Sequence, residues 1–454
     1  MKTPAGTMKK CSAVDFVFWG IGGLAGVLCG LNAAAQPQGL LHSKMFWVAL
    51  LAALSLLAAP LLLRPKLKQN LLLLLSTLFL IELFLQVAGW CGLLPGMHTM
   101  LYYPWARVYW TGEGLGNSIR NRYGWHYPEF NLSATNRIAL IGDSFVEGKE
   151  VNRRDNMGVK LGAQLAGPWR DFSVLSLGRS GTGPAQYYEV LQYAHKHFQV
   201  HEAILLLYLG NDISDCTAAT ALSPESHFIY YQLDPAGQLM LTPPDQTDCA
   251  RYRADLETPH QPLWRSVPWI LSSHCMSAQI PINVRNALAY RRRQFGRDGT
   301  DHPERYAPRD AELARLGLKA ATFAVNPDPD TREAMLIMQG ILQRAADYCA
   351  AHQIRLRLVT IPFFPKDFYD TQQGAAWSAR IGDYDFLKPE REITAWAKAH
   401  NLPVLPLGEW MHRQKLDVSA IRALYFTGGS GHFTEAGHRF IADAMAENFY
   451  PGVK

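Results

Sequence analysis

The stretch Ile138-Ala139-Leu140-Ile141-Gly142-Asp143-Ser144 decides the fold of this chain. A run of four apolar residues ends in a turn that carries a serine hydroxyl. Short runs that are apolar on both faces are typical of strands in parallel sheets covered by helices. In such open α/β sheets, ligands bind at the carboxyl ends of the strands. The stretch therefore predicts an α/β fold with a functional serine at the edge of the sheet.

The same pattern recurs from Asn131 onward, where strand-like apolar runs alternate with helical segments. This alternation predicts a parallel sheet of about five strands with helices on its faces. The predicted strands are 138–141, 172–177, 203–209, 355–361 and 403–407. A helix with an apolar stripe is predicted before the fourth strand, and Asp330 and Glu333 have the spacing of a capping box at its start.

Glycine and polar residues follow the first three predicted strands and precede the last helix. They are Gly142-Asp143-Ser144, Ser180-Gly181, Gly210-Asn211-Asp212 and Gly431-His432. Acyl transfer needs a hydroxyl nucleophile, a base and donors for the developing oxyanion. Ser144 and His432 supply the first two, and the N–H groups of Ser144 and Gly181 with the amide of Asn211 form a candidate oxyanion hole.

These four blocks resemble those of the SGNH/GDSL-type hydrolases over about residues 120–450. The resemblance implies a flavodoxin-like three-layer fold and a serine hydrolase that acts on ester bonds, with no cofactor and no metal. One position departs from the family, which usually has an Asp two or three residues before the histidine, where this chain has Gly429 and Ser430. Three explanations stay open: a Ser–His dyad oriented by a backbone carbonyl, a distant carboxylate, or weak catalysis.

Two function classes follow from these blocks. The first is a membrane-anchored serine esterase or acyl transferase that acts on an extracytoplasmic acylated glycan or lipid-linked saccharide. The second is a catalytically weak or inactive SGNH-fold protein that binds glycans, and the missing Asp is its main argument.

Residues 1–95 are predicted to form a membrane anchor of three transmembrane helices, at 14–34, 45–63 and 71–94. Each approaches the ~20 residues that cross a bilayer. Glu82, in the third, is interpreted as a protonated or helix-paired carboxyl, and an intramembrane contact is the alternative. Lysines and arginines before the first and after the second helix place those ends in the cytoplasm, so the remainder lies on the periplasmic side of the inner membrane. A cleavable signal in place of the first helix would give the same side.

After the anchor, residues 96–130 are predicted to be a juxtamembrane connector, rich in aromatic residues as at a membrane interface, and residues 131–450 the hydrolase-like domain. That domain contains an insertion at about 217–330. The insertion is expected to hold a hairpin at 228–241 and a helix at 263–295, and to pack over the edge of the sheet. Its position there would shape the substrate cleft.

The charge distribution excludes one class of partner. Residues 1–95 carry seven lysines and arginines and two acidic residues, Asp15 and Glu82. The net charge of this segment therefore equals the net charge of the whole chain, which is +5. The outer domain is therefore formally neutral, and nothing in it indicates a nucleic-acid-binding surface. Its four cysteines, Cys216, Cys249, Cys275 and Cys349, allow one or two disulfides in an oxidising compartment.

Overall fold

The computed structural model describes residues 13–17, 19–20, 64–94, 102–166, 171–217, 219–220, 229–241, 243–281, 284, 320–363, 385–426 and 431–452. The chain divides into two compact units: residues 1–94 with 260–282, and residues 95–259 with 283–454. Most of the first predicted transmembrane helix, all of the second, and positions 429 and 430 lie outside the described residues.

The second unit is built around a parallel sheet with two small antiparallel pairs beside it. The strands are β1 Arg107–Trp110, β2 Gly116–Ile119, β3 Asn136–Gly142, β4 Phe172–Gly178, β5 Glu202–Tyr208, β6 Tyr231–Leu233, β7 Leu239–Leu241, β8 Arg355–Ile361 and β9 Val404–Pro406. β1 pairs with β2 and β6 with β7, each antiparallel. The other five form one parallel sheet in the order β4-β3-β5-β8-β9.

Helices lie between and around these strands in the chain. They are α1 Pro65–Trp90, α2 Ser144–Glu147, α3 Met157–Leu165, α4 Pro184–Phe198, α5 Pro243–Glu257, α6 Val267–His274, α7 Pro329–Ala351, α8 Lys388–Ala399, α9 Leu407–Arg413, α10 Val418–Ala423 and α11 Glu435–Phe449. Short 3-10 turns lie at Arg153–Asp155, Ser214–Cys216, Thr258–His260, Leu263–Arg265 and Ala320–Phe323.

The sheet confirms the predicted α/β class and its five strands. Numbered by their position in the chain, the sheet strands lie in the order 2-1-3-4-5, which is the flavodoxin-like order. The strand order reverses between the first and third of these strands, β3 and β5, and ligands in such sheets bind at this switch point. The turn with Ser144 follows β3 directly, so the predicted serine lies at the switch point.

Two apolar cores, one on each face, hold this sheet. Alternate residues of β3 point to opposite sides, because successive side chains of a strand do so. Ala139 and Ile141 pack with α4, α7 and α8, whereas Ile138 and Leu140 pack with α3, α9 and α11. All four residues are essentially buried. The sheet therefore has helices on both faces, which leaves its carboxyl edge as the place for polar chemistry.

Residues 102–130, predicted as a connector, belong to the same compact unit as the sheet. Two of the aromatic residues there have contacts within this folded unit. Tyr109 is buried within β1, and the ring of Tyr102 lies between two guanidinium groups, 4.3 Å from that of Arg120 and 4.1 Å from that of Arg179. Cations stabilise aromatic faces in this way, so these rings are structural parts of the folded unit.

Three further expectations change. The cap of α7 is Asp328, whose carboxylate accepts from Thr331 N at 2.9 Å, so the capping residue lies two positions before the predicted Asp330. The helix predicted over 263–295 is interrupted: α6 ends at His274, and a new helical segment begins at residue 276. Cys216, Cys249, Cys275 and Cys349 are all free thiols. The hairpin of the insertion, by contrast, is confirmed as β6 and β7.

The first unit contains α1, which begins six residues before the predicted third transmembrane helix. Among the described residues, α1 is the one helix that is long and apolar enough to cross a membrane. Residues 260–282 of the insertion belong to this unit rather than to the unit of the sheet.

Candidate active site

Ser144 is the first residue of α2, in a sharp turn at the end of β3. The Asp143 carboxylate caps this short helix by accepting from Phe145 N at 2.9 Å. Asp143 and Phe145 are buried, whereas Ser144 is partly exposed. Next to the turn, a Cβ on Gly178 would lie 2.0 Å from Glu147 N, so only glycine there lets β4 approach α2. The fold thus presents one hydroxyl on a rigid turn.

His432 lies just before α11 and faces that hydroxyl. An isolated bridge between Tyr425 and Phe433 fixes its backbone, and Thr434 caps α11 by accepting from Gly437 N. The imidazole packs against the ring of Phe145, with ring centroids 4.9 Å apart. Its Nε2 is 2.7 Å from Ser144 Oγ. The two predicted residues, 288 positions apart, are therefore in hydrogen-bond contact.

The opposite side of the imidazole is occupied by Glu113, a residue that sequence reasoning missed. Glu113 Oε2 is 2.8 Å from His432 Nδ1 and also accepts from the backbone N–H of His432 at 3.0 Å. Both side chains are buried. When Nδ1 donates to the carboxylate, Nε2 carries the lone pair that can accept the serine proton. Of the three explanations left open by the sequence, the geometry fits the distant carboxylate.

Glu113 reaches this position on the loop between β1 and β2. The loop runs against the backbone of residues 149–150. A Cβ on Gly114, which has φ +63°, would lie 2.7 Å from Glu150 O, and one on Gly116 would lie 1.8 Å from Lys149 O. The only sequence signal was a glutamate between two glycines in an aromatic segment. That pattern predicts a turn, and nothing in its spacing points to a histidine 319 positions later.

A second carboxylate, Glu150, lies beside the same nitrogen. Its Oε1 is 3.4 Å from His432 Nδ1, and neither of its buried oxygens has a hydrogen-bond partner among the described residues. Burial raises the pKa of Glu150 to about 7, although the charges of His432 and Lys149 oppose the rise. A carboxyl with this pKa is partly protonated near neutral pH.

The pKa of His432 is raised above its ordinary value. Burial alone would lower it, but the charge of Glu150, the hydrogen bond that the imidazole donates to Glu113 and the charge of Glu113 together outweigh burial. Negative neighbours stabilise the imidazolium, which is the form that a general base adopts after it takes a proton. The two glutamates therefore prepare His432 to accept a proton from Ser144.

The other two predicted residues lie on the turns that flank Ser144. Gly181 follows β4, is exposed, and has φ +70°, and a Cβ there would meet no atom within 4 Å. Asn211 follows β5 and is partly exposed, and its Nδ2 donates to Asp215 Oδ2 at 3.0 Å. Because β4 and β5 are the two neighbours of β3, these turns border the serine from both sides. In this state the Asn211 amide is held by Asp215.

A buried ion pair fixes the turn that carries Gly181. Glu147 Oε2 accepts from Ser180 N at 2.7 Å and from Ser180 Oγ at 2.5 Å, and its Oε1 pairs with Arg120 at 2.6 Å. Burial opposes ionisation of Glu147, but Arg120, Lys149 and the Ser180 hydroxyl hold its pKa at about 2. Glu147 is therefore charged at all working pH values and anchors the Ser180–Gly181 peptide.

The described residues include one group with the composition of a metal site, formed by Glu113, Glu150 and His432, whose ligand atoms lie within 4.8 Å of one another. His432 Nδ1 is 2.8 Å from the Glu113 carboxylate, which is a hydrogen-bond distance. A metal on Nδ1 would replace the proton that makes this bond. The group therefore fits acid–base chemistry better than metal binding.

No family model matches the chain, and no curated protein matches it. Solved structures do resemble it. A lipolytic protein of the G-D-S-L family from Desulfitobacterium hafniense DCB-2 matches with TM-score 0.32 and 10% identity, over 69% of this chain and 99% of that protein. A catalytic mutant of the acetylxylan esterase Axe2 from Geobacillus stearothermophilus matches with TM-score 0.32 and 10% identity, over 70% of this chain and 96% of that protein. These likenesses are remote, so the geometry of the site has to carry the functional conclusion.

Proposed function

We propose that this chain is a membrane-anchored serine esterase or acyl transferase of the SGNH type. The observation that carries the proposal is the continuous hydrogen-bonded series Ser144–His432–Glu113, with distances of 2.7 Å and 2.8 Å. A nucleophile, a base and a carboxylate that orients the base form the arrangement that activates a serine in unrelated hydrolases. It lies at the switch point of the sheet, which is where ligands bind in sheets of this kind.

The proposed reaction has two halves. Ser144 Oγ attacks the ester carbonyl while His432 Nε2 takes its proton, and the carbonyl oxygen becomes the oxyanion of a tetrahedral intermediate. His432 then gives that proton to the departing alkoxide, which leaves an acyl group on Ser144. In the second half, water or an acceptor hydroxyl attacks the acyl-enzyme by the same route. Glu113 stays ionised throughout and stabilises the imidazolium.

Backbone N–H groups and one amide are the candidate donors to the oxyanion. They are the N–H groups of Ser144 and Gly181 and the side chain of Asn211, which lie on the three adjacent turns. Preorganised donors of this kind lower the barrier because they need no reorganisation as charge develops. The amide of Asn211 has to exchange its contact with Asp215 for the oxyanion, or share it, when the substrate binds.

The alternative of an inactive glycan-binding protein loses its main support. It rested on the missing Asp before His432, and Glu113 offers a carboxylate to the same imidazole nitrogen. A protein that had lost turnover would have no need to keep a buried carboxylate in contact with the histidine. Buried acidic groups are costly unless they are paired or hydrogen-bonded.

The proposed site of action is the extracytoplasmic face of a membrane. α1 is a candidate membrane span, and Arg64, Lys66 and Lys68 precede or begin it, as expected for its cytoplasmic end. The hydrolase unit would then follow on the outer side. We propose acylated glycans or lipid-linked saccharides as the substrate class, because they carry ester groups on that side of the membrane.

The test combines a covalent probe with an assay on the full-length protein in detergent. A fluorophosphonate probe should label the wild-type protein. The wild-type protein should also hydrolyse an aryl acetate. Ser144→Ala should abolish both signals, and His432→Ala should reduce both by a similar large factor, since the two residues act as one unit. Ser419→Ala, at an exposed serine, is the control and should keep both. Full hydrolysis by a folded Ser144→Ala protein would refute the proposal.

A further inference from the structure

The first unit contains a break between two short helices that is satisfied by polar side chains of α1. α6 ends at His274, and residues 276–281 are again helical. The ends of helices leave backbone N–H and C=O groups without intrahelical partners. Here the Glu82 carboxylate accepts from Met276 N and from Ser277 N, each at 2.8 Å. The Gln86 amide donates to His274 O at 2.6 Å.

One pair of side chains therefore completes both sides of the break. Glu82 and Gln86 are four positions apart on α1, so they lie on one face of it, and Gln86 Nε2 also contacts Glu82 Oε1 at 2.6 Å. Cys275 Sγ contacts the second oxygen of Glu82 at 3.4 Å. In water, solvent would satisfy such backbone groups, whereas in hydrocarbon the protein has to do so. The arrangement meets this requirement of a lipid environment.

The depth of this contact follows from the geometry of α1. Glu82 lies eight residues before Trp90, the last residue of α1, which is roughly 12 Å along the axis at 1.5 Å per residue. If α1 crosses the bilayer, Glu82 lies inside the hydrocarbon region. α6 has eight residues, so it too is about 12 Å long. A helix of that length that enters at the interface reaches the depth of Glu82 where it ends.

The broken helix exposes several apolar side chains and buries two polar ones, while Met276 is buried and Ser277 is exposed. Trp269, Leu271 and Ile280 are 47%, 52% and 38% exposed. Ser273 and Gln279 are buried; the Ser273 hydroxyl donates to Ile270 O at 2.7 Å, and the Gln279 amide donates to Ser272 O at 2.6 Å. A helix that faces water usually buries its large apolar side chains and exposes its polar ones. The exposed apolar side chains fit lipid chains.

The amino-acid composition of residues 266–284 also fits a lipid environment. Residues 266–284 contain no Asp, Glu, Lys or Arg, and arginines stand directly on both sides, at Arg265 and Arg285. Arginines at the ends of an apolar segment reach lipid headgroups. At 19 residues the uncharged run approaches the length of a span, but its break makes each helical piece far shorter than the ~30 Å hydrocarbon thickness.

We propose that residues 266–281 form a re-entrant element that enters the outer leaflet of the bilayer, turns back at Cys275 against Glu82 and Gln86, and returns to the same side. The proposal rests on the membrane anchoring proposed above. The element would attach the protein to the membrane at a second place besides α1. An enzyme held in this way is suited to a substrate that is itself held in the outer leaflet.

The test measures where exposed side chains lie in a bilayer. p-Acetylphenylalanine carrying a nitroxide is placed at Leu271, at Leu78 of α1 and at Met240 of β7, all of which are exposed positions. The full-length protein is reconstituted into vesicles of phosphatidylcholine and phosphatidylglycerol. Collisions with oxygen report lipid, and collisions with a water-soluble nickel chelate report water. Leu78 is the lipid reference and Met240 is the water reference.

We expect the label at Leu271 to behave like that at Leu78, with oxygen favoured over nickel. If the label at 271 behaves like that at 240 while the label at 78 reports lipid, the proposal of a re-entrant element is wrong, and the proposal that α1 anchors the protein is supported. If the label at 78 also reports water, the anchoring proposal fails, and this inference fails with it. The two failures are therefore distinguishable.

Substitution of Glu82 tests the mechanism of the turn. Glu82→Leu removes the acceptor of Met276 N and Ser277 N, so the label at 271 should become several-fold more accessible to the nickel chelate. Glu82→Gln keeps one acceptor oxygen and should give a smaller change. Thr77→Val is the matched control, because the Thr77 hydroxyl donates within α1, to Leu73 O at 2.8 Å. Unchanged accessibility in Glu82→Leu would overturn the role of Glu82.

Discussion

Glu113 holds His432 by two atoms at once, accepting from its backbone N–H and from Nδ1 with the same carboxylate oxygen. The first contact fixes the position of the residue, and the second fixes the plane and the tautomer of its ring. Orientation of the base in this way is worth several orders of magnitude in serine hydrolases. The geometry therefore makes Glu113 the acid of the proposed triad, in place of the residue expected just before the histidine.

Removal of the Glu113 charge should slow the enzyme and move its pH profile. In Glu113→Gln, kcat should fall by about 10²- to 10⁴-fold. The acidic limb of the rate profile reports protonation of His432. It should lie above the ~6.5 of an ordinary histidine in the wild type, because the pKa of His432 is raised. In the variant it should move to lower pH, since a charge that stabilises the imidazolium is gone.

Glu129→Gln is the control for this experiment, because Glu129 is an exposed residue that contacts Arg122 and accepts from its backbone N–H at 3.0 Å, and the glutamine keeps an acceptor oxygen. It should leave both rate and profile unchanged. A Glu113→Gln enzyme with the wild-type profile would show that another group orients the histidine.

Glu150 should make the protein less stable at high pH. Its pKa is raised in the folded state to about 7 from an ordinary value of 4.5. The folded protein therefore favours the protonated, neutral form of Glu150 over the charged form. Stability is fullest below pH 4.5 and is lost as pH rises through about 7, by roughly 2–3 kcal/mol between pH 5 and 9.

Glu150→Gln lacks this titration. Its melting temperature relative to wild type should rise as pH is raised from 5 to 9, measured on the full-length protein in detergent. The same variant should lose less activity than Glu113→Gln, because Glu150 makes no hydrogen bond to the imidazole. A melting difference that is constant over this pH range would contradict a neutral buried Glu150.

Gly181 can be compared with Gly237, because alanine would meet similar backbone strain at both positions. Gly181 has φ +70° and Gly237, in the β6–β7 turn, has φ +76°, and a Cβ at either position meets nothing within 4 Å. Alanine at each should cost about 1–2 kcal/mol of backbone strain. Only Gly181→Ala should lower kcat, by tens of fold at unchanged KM, because it moves a proposed oxyanion donor. Equal kcat in the two variants would remove Gly181 from the oxyanion hole.

Asn211 should act in the transition state and not in substrate binding. Asn211→Ala should lower kcat by about 10²- to 10³-fold, the usual effect of losing one oxyanion donor. KM should change little. Asn131→Ala, at an exposed turn, is the control for loss of an amide. An Asn211→Ala effect confined to KM would assign the amide to substrate binding instead.

The parts of the site that sequence reasoning found are local. Ser144, Gly181 and Asn211 each come soon after a buried strand. Because these strands are parallel, predicting them also placed the three residues at the carboxyl edge of the sheet. His432 was found through its block before the last helix. Its contact with Ser144 then follows from the way α11 packs on the face of β3.

The parts that it missed depend on contacts between distant segments. Glu113 belongs to a hairpin loop whose place is fixed by steric fit to the backbone of residues 149–150, and hydrophobic periodicity carries no information on such a fit. The cap of α7 was displaced by two residues because Asp328 and Asp330 have equal propensity, and Pro329 at the first helical position favours the earlier one. The break at Cys275 depends on side chains of α1, which lie almost 200 positions away in the sequence.

The hairpin loop with Glu113 and the segment with His432 come from opposite ends of the hydrolase unit. During synthesis the carboxylate emerges first and the imidazole among the last residues, so the site can be complete only after nearly the whole unit has been made. A shortened chain that starts at Asn131 would keep Ser144 and His432 in a plausible sheet and still lack its acid. Turnover by this protein therefore requires that both ends of the unit have folded together. A fragment chosen by the boundaries of the sheet alone would lack Glu113 and would be a misleading test of activity.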